Sequence, residues 1–315
     1  MRTGLVAAAL LIAGCSAAPS GAAVVRVGPG EVAVAFKNAR DGDRVVLAPG
    51  AYGDIVLPAA DHAKPVMIDA SAAKVRSLMI RNTAGWTWKG GVIDSPLPPK
   101  VQPFPRDAVW RNVMIDNARR IELSGTTLTG GHTGVLVTRG SEDIVLRDNR
   151  AIALQSDGFN IATARRVSLI GNTCRDFTPI APIFEGGRMV KDGTHPDCIM
   201  MWSEAGKPPT SDITITGNTI RGAMQGITHF WHPKLGRDKV YRVKAWDNDV
   251  EVSYFHGIFL EDTPGSDVRR NRVRTQVGAT ALGNPAMKVK AWLKFDAGTP
   301  SCGNQVDGKR IDRGC

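Results

Sequence analysis

Two aspartates of the sequence, Asp157 in SDGF and Asp197 in HPDC, stand before short apolar runs and could act as a pair. Two carboxylates held close together rarely both ionise, so they raise each other's pKa or share a cation. Such a pair can supply the acid and the base for cleavage of a glycosidic bond. It can instead hold Ca²⁺, which prefers carboxylate oxygens. Both chemistries require a fold that places positions 157 and 197 side by side.

Basic side chains near Asp197 are candidates for the other catalytic roles. His195 lies two positions before it, and Arg188 and Lys191 lie slightly further upstream. A lyase that works by β-elimination needs a base for the C5 proton of a uronate and a cation for its carboxylate. His195, Lys191 and Arg188 could fill these roles while the two aspartates hold a Ca²⁺ ion.

The loops around these strands are expected to bind the sugar. They contain more Lys and Arg than Asp and Glu, which suits a polymer that carries uronate carboxylates. Aromatic side chains at strand ends offer flat apolar faces to sugar rings. The predicted substrate-binding residues are Trp202, Trp231, His229, Lys234 and Arg237.

A repeated word along the chain predicts the fold that positions these residues. It ends in Asn in most copies and reads LSGT, LRDN, LIGN, ITGN, AWDN and VRRN, starting at 123, 146, 169, 215, 245 and 268. A period of about 23 residues with short β-branched strands is typical of a parallel β-helix, in which each coil stacks on the next. The asparagine amides could then form a ladder that satisfies buried turn backbone. We therefore predict an all-β, single-domain, right-handed parallel β-helix over 25–284.

A second word in each coil places the candidate residues in one column. Aligned on the Gly or Cys of HTGVLV, SDGFNI, PDCIMM, MQGITH and HGIFL, the preceding residues are Thr133, Asp157, Asp197, Gln225 and His256. Equivalent positions of successive coils stack, so Asp157 and Asp197 should lie roughly 5 Å apart at the backbone. His256 should lie two coils beyond Asp197, where it could tune the pair in a hydrolase.

Both ends of the β-helix are expected to be capped. Val32, Ala35, Phe36 and Ala39 share one face of a short N-terminal helix, which can cover the open first coil. Residues 285–315 lose the repeat and are predicted to form the C-terminal cap. Cys302 could pair with Cys315 there, and a Cys174–Cys198 disulfide is the other pairing considered.

Two segments resemble known families of β-helix proteins. The stretch 30–58 resembles the start of pectate-lyase-like proteins of the alginate lyase and chondroitinase-B type. The words SDGFNI, PDCIMM and HGIFL look like the NTD, DDC and GHG strands of polygalacturonase-type hydrolases. Ser156 and Pro196 depart from those patterns, and one extra coil separates the last two words. The resemblance implies an enzyme that cleaves a uronate polysaccharide.

The first residues, MRTGLVAAALLIAGC, predict export. A positive residue precedes a short apolar run, and LIAGC resembles the lipobox of bacterial lipoproteins. That resemblance implies a signal peptide over 1–14, acylation of Cys15, a linker over 15–24, and, because Ser16 follows, the outer membrane. An ordinary secretory signal is the alternative.

Charge and compartment together indicate the partner. The chain has 40 Lys+Arg against 30 Asp+Glu, and outside the cytoplasm its partner polyanion should be an acidic polysaccharide rather than nucleic acid. We expect a monomeric, lipid-anchored periplasmic lyase that cleaves a uronate polymer by β-elimination, with Ca²⁺ as its candidate cofactor. The alternatives are a glycoside hydrolase that uses Asp157 and Asp197, and a non-catalytic lipoprotein that binds an exopolysaccharide.

Overall fold

The computed structural model describes residues 21–97, 111–191, 193–229, 232–278 and 288–312. Within these ranges the chain winds into a parallel β-helix of three long sheets, which we name A, B and C. Sheet A contains β1 (Val24–Val27), β2 (Arg44–Leu47), β5 (Asp61–Asp69), β8 (Ala84–Lys89), β11 (Arg119–Ser124), β14 (Glu142–Arg147), β17 (Arg165–Ile170), β22 (Ser211–Thr216), β26 (Tyr241–Trp246), β29 (Asp267–Arg269) and β32 (Ser301–Cys302).

Sheets B and C complete each coil. Sheet B contains β3 (Gly50–Ala51), β6 (Ala73–Val75), β9 (Val92–Ser95), β12 (Thr127–Gly130), β15 (Arg150–Ile152), β18 (Thr173–Arg175), β23 (Thr219–Gly222), β27 (Asp249–Val252), β30 (Arg272–Thr275), β33 (Gln305–Val306) and β34 (Lys309–Arg310). Sheet C contains β4 (Asp54–Leu57), β7 (Ser77–Arg81), β10 (Arg111–Asp116), β13 (Thr133–Thr138), β16 (Phe159–Ala162), β21 (Asp197–Glu204), β24 (Gln225–His229), β28 (His256–Leu260) and β31 (Trp292–Phe295), with β25 (Arg237–Asp238) antiparallel to β21. Strands β19 (Ile183–Glu185) and β20 (Arg188–Lys191) form a separate hairpin.

Alternating side chains along each strand explain how the coils close around one core. In β14, Ile144 and Leu146 are fully buried, whereas Arg147 is half-buried on the outer side. Ile144 and Leu146 pair in register with Val167 and Leu169 of β17, so aliphatic side chains stack from coil to coil. The spacing of about 4.8 Å between paired strands brings them into van der Waals contact. The predicted β-helix is confirmed.

Helix α1 (Val32–Asn38) covers the first coil. Phe36 is buried and lies edge-on to Trp86 at 6.0 Å between ring centres. Val32 and Ala35 pack on the same core cluster. The predicted amphipathic cap is therefore present, and it keeps the apolar interior of the N-terminal coil away from solvent.

An asparagine ladder runs along one corner of the β-helix. Its members are Asn149, Asn172, Asn218, Asn248, Asn271 and Asn304, and all are buried. Each side-chain amide donates to the amide oxygen of the next, with N–O distances between 2.9 and 3.1 Å. The same oxygens accept from backbone N–H groups one coil away, as Asn218 does from Asn172 at 2.9 Å. The ladder thus satisfies buried turn backbone, as predicted.

The β-helix continues beyond the predicted boundary at 284. Strands β31, β32 and β33 extend sheets C, A and B, and Asn304 adds a rung to the ladder. Residues 288–312 therefore build a further coil, which ends in the antiparallel pair of β33 and β34. The segment expected to be only a cap carries part of the core.

A disulfide links Cys174 and Cys198 inside the core, with their Cα atoms 5.7 Å apart. It ties β18 of sheet B to β21 of sheet C, next to Asp197. Residues 1–14, Cys15 and Cys315 lie outside the described residues, so the lipid anchor and the Cys302–Cys315 bridge stay predictions. No helix in the described ranges is long and apolar enough to cross a membrane.

Candidate functional site

A cavity of about 400 Å³ on the outer face of sheet C contains most of the predicted catalytic residues. It is lined by Ser156, Asp157, His195, Asp197, Met200, Gln225, His232, Arg237 and His256. The sequence had indicated no role for the side chains of Ser156 and Met200, and it had placed Gln225 in the column only as a neighbour of Asp197. These residues come from neighbouring coils and from the turn that follows β24.

The predicted column is present, because successive strands of sheet C pair without a register shift around the aspartates. The N–H of Gly134 donates to the carbonyl of Asp157 at 2.9 Å, and the N–H of Gly158 donates to that of Asp197 at 2.8 Å. Asp197 in turn pairs with Gln225. The two carboxylates therefore stand on adjacent coils, about 4.8 Å apart at the backbone.

The column also extends further than predicted. Arg111 pairs with Thr133 at one end, and Trp292 pairs with His256 at the other. Arg111 is half-buried, and this burial lowers the pKa of its guanidinium. One outward-facing column thus presents a cation, an acidic pair and an aromatic ring along the axis of the β-helix.

Burial dominates the electrostatics of the aspartate pair. Asp157 is 7% exposed and Asp197 is 2% exposed. Loss of hydration raises the pKa of Asp157, although hydrogen bonds from Asn160 (2.8 Å) and Ser156 (3.1 Å) favour its charged form. Burial and then the charge of Asp157 raise the pKa of Asp197 well above its usual value. The pair therefore retains a proton more readily than an isolated aspartate.

Arg237 is the cation that faces the pair, and its position follows from a tight turn. The 3-10 turn Pro233–Leu235 ends at Gly236, whose φ of 69° suits glycine, and β25 then pairs with β21. The Arg237 guanidinium lies 5.5 Å from the centre of the Trp202 ring. Its charge lowers the pKa of both aspartates, against the effect of burial.

Trp202 connects this cation to the acidic pair. Its Nε1–H donates to Asn160 Oδ1 at 3.0 Å, and the amide of Asn160 donates to Asp157 Oδ2 at 2.8 Å. The half-buried indole therefore orients both Arg237 and the amide that holds Asp157. Trp202 therefore lies beside the cavity in a position fixed by hydrogen bonding, and its contact with a sugar stays a prediction.

His256 enters the cavity as a neutral base. Its Nδ1 contacts Gln225 Oε1, and burial, followed by the charges of His195 and Lys294, lowers its pKa to about 4. Near neutral pH its imidazole therefore carries no charge. His195 and His232 are exposed at the cavity mouth.

Four predicted site residues lie away from the cavity. Arg188 and Lys191 belong to β20, whose residues are all exposed, and Lys234 is exposed on the turn before Arg237. His229 is completely buried, with Nδ1 3.3 Å from the carbonyl of Met201, so it has no surface with which to contact a polysaccharide. Trp231 lies outside the described residues.

The donors in the cavity fit a Ca²⁺ ion poorly. Among the described residues, no group of three or more His, Cys, Asp or Glu side chains could hold a metal ion. Three of the four carboxylate oxygens of the pair already accept hydrogen bonds, from Ser156, Asn160 and Thr228. Ca²⁺ takes about six to eight oxygen ligands, which these two side chains cannot supply.

Comparison with protein families and with curated proteins finds no match. Solved structures do match the fold. A polygalacturonase from Erwinia carotovora ssp. carotovora is 13% identical with a TM-score of 0.58, over 90% of this chain and 84% of that chain. An alginate lyase from Paenibacillus sp. str. FPU-7 is 13% identical with a TM-score of 0.51, over 90% and 98%. The chain thus has a right-handed parallel β-helix fold.

Proposed function

We propose that the protein hydrolyses glycosidic bonds in a uronate-containing polysaccharide, with Asp157 and Asp197 as its two catalytic carboxyl groups. The observation that carries this proposal is the stacking of two buried aspartates in a cavity that a cation faces. Glycoside hydrolysis requires a protonated and an ionised carboxyl group on either side of the bond. The environment of this pair separates those two states.

The hydrogen bonds divide the roles between the aspartates. Asp157 accepts from Ser156 and Asn160, which favours its carboxylate as the base or nucleophile. Asp197 accepts from the Thr228 hydroxyl at 2.6 Å, its one side-chain donor among the described residues, and it holds the proton more strongly. It is therefore the general acid that protonates the leaving oxygen. Arg237 would pair with the carboxylate of the bound uronate.

Elimination is the second candidate, and the neutral imidazole of His256 favours it. In this reaction Arg237 would neutralise the uronate carboxylate and His256 would take the C5 proton. Elimination was the leading expectation from the sequence, with His195, Lys191 and Arg188 as candidates for base and clamp. It now ranks second, because Lys191 and Arg188 lie on an exposed hairpin and, of the three, His195 alone lines the cavity.

The proposed location is the periplasm, with the chain anchored to the outer membrane through Cys15 as a monomer. A non-catalytic role in binding an exported polysaccharide is the remaining alternative. Export is tested by radiolabelled fatty acid, which Cys15→Ala should fail to incorporate.

The reaction is tested with polygalacturonate and alginate as substrates and a chain that starts after Cys15. New reducing ends without ultraviolet absorbance would support hydrolysis, whereas absorbance of unsaturated uronate ends would support elimination. Asp157→Asn and Asp197→Asn should each lower the cleavage rate about 10²–10⁴-fold. Polymer binding without turnover in the parent chain would refute both enzymatic proposals. Activity that survives a chelator would argue against Ca²⁺.

A further inference from the structure

We propose that Trp292 forms a separate sugar-binding subsite, on which a ring of the polysaccharide stacks three coils beyond Asp197. The proposal takes its substrate class from the proposed function, but it uses no residue of the aspartate pair. Trp292 pairs with His256 in sheet C and so continues the column that contains both aspartates. At 41% exposure it presents a large apolar surface to solvent.

The ring of Trp292 is held in place before any ligand binds. Phe255 stacks against it at 5.5 Å between ring centres and an angle of 27°. His256 meets it edge-on at 5.4 Å. Two aromatic contacts that fix the indole reduce the entropy lost when a sugar packs on it. An exposed aromatic ring that is supported in this way offers a ready stacking surface.

The position of Trp292 sets the length of ligand that can use it. Three coil steps from Asp197 amount to roughly 14 Å at about 4.8 Å per step. A disaccharide bound at the aspartate pair does not span this distance, whereas a hexasaccharide that lies along the column does. The subsite should therefore contribute to binding of long chains and contribute nothing to binding of short ones.

The charges beside Trp292 indicate what the subsite recognises. The nearest cation of its own strand, Lys294, pairs with Glu261 at 2.7 Å and lies 5.7 Å from the Phe259 ring. Because that charge is already compensated, recognition should rest on the C–H face of the sugar ring. The subsite should then accept neutral and acidic sugars alike, in contrast to the cavity that Arg237 faces.

The test compares affinities for galacturonate and mannuronate oligosaccharides by calorimetry in an Asp197→Asn background, which prevents turnover. Trp292→Leu should weaken binding of hexasaccharides about fivefold to tenfold and leave binding of disaccharides unchanged. Trp246→Phe is the matched control, because Trp246 is a half-buried tryptophan beside Lys244 on sheet A, and it should change neither affinity.

Phe255→Leu provides a second variant, which removes the support of the ring while the indole stays, and it should weaken hexasaccharide binding in the same direction. Unchanged hexasaccharide affinity in both variants would overturn the proposal, as would an equal loss for disaccharides. If the parent chain binds the oligosaccharides without cleaving them, the subsite stands while the hydrolase proposal fails. If neither oligosaccharide series binds, both are overturned.

Discussion

Asp197→Asn should inactivate the protein and at the same time stabilise it near neutral pH. The change is nearly isosteric, and the new amide oxygen can still accept the hydrogen bond from Thr228. What disappears is a carboxyl group that must either keep its proton or place a second negative charge beside Asp157. Two unit charges about 4.8 Å apart repel by about 3 kcal/mol at an effective dielectric constant of about 20. Arg237 offsets part of this, so we expect a net gain of about 1–3 kcal/mol in unfolding free energy.

The sign of the pH dependence follows from the raised pKa. Folded Asp197 keeps its proton at pH values where the unfolded chain has already lost it. The unfolding free energy of the parent chain therefore falls as the pH rises from 3.8, the ordinary pKa of aspartate, to the pKa of folded Asp197. At still higher pH the lost stability is not regained. The variant avoids this loss, so the two urea-unfolding curves should coincide in acid and separate towards neutral pH.

Asp212→Asn is the matched control for this measurement. Asp212 is half-buried and accepts two hydrogen bonds from Arg242, at 2.6 and 2.7 Å, which hold its pKa below the usual value. Its replacement should cost up to about 1 kcal/mol, the opposite sign, and leave activity unchanged. An Asp197→Asn variant that is no more stable than the parent near neutral pH would refute the claim that the two carboxylates repel each other.

Three further predictions concern the cation, the ladder and the disulfide. Arg237→Met should raise KM for uronate oligomers about tenfold in steady-state assays. It should also move the pH optimum upward, because the charge of Arg237 lowers the pKa of both aspartates. Lys234→Met, on the exposed turn, should change neither KM nor the pH optimum. Asn218→Ala leaves Leu169 O and the amide of Asn172 unpaired in the core. Urea unfolding should therefore show a loss of about 3–5 kcal/mol in unfolding free energy. The control, Asn117→Gly at an exposed position, should lose about 0.5 kcal/mol. Replacing both Cys174 and Cys198 by Ala should cost about 3 kcal/mol in the same assay, since the bridge closes a loop with a sequence separation of 24; an unchanged midpoint would contradict this.

The sequence was sufficient to predict the fold and the column because both follow from a strict repeat. A parallel β-helix converts sequence period into spatial stacking, so aligning Gly158 with Cys198 was enough to place Asp157 beside Asp197. The same rule could have found the last coil. SCGN at 301–304 repeats the ladder word, and Asn304 accepts from Asn271 as the word predicts.

The misplaced residues show where a repeat carries no information. Arg188 and Lys191 are close to His195 in sequence, but they lie in an insertion whose own hairpin directs them into solvent. His229 was placed at a strand end, yet it pairs with Met201 and lies two residues after the buried Ile227, which puts its side chain on the same inward side. Counting strand parity would have identified the second error, whereas no pattern in the sequence predicts the path of the insertion.

In-register stacking has opposite consequences for amides and for carboxylates, and the site depends on this difference. An amide can donate to its copy one coil away, so a run of asparagines satisfies itself without limit along the corner of the β-helix. A carboxylate can only accept, so each added copy would bury another repelling charge. In the column, the neighbours of the pair are Thr133 and Gln225, which are uncharged, and the repulsion is therefore confined to two residues. Because only two carboxyl groups are stacked, Asp157 and Asp197 share one proton. One of them can then donate a proton while the other, ionised, accepts one.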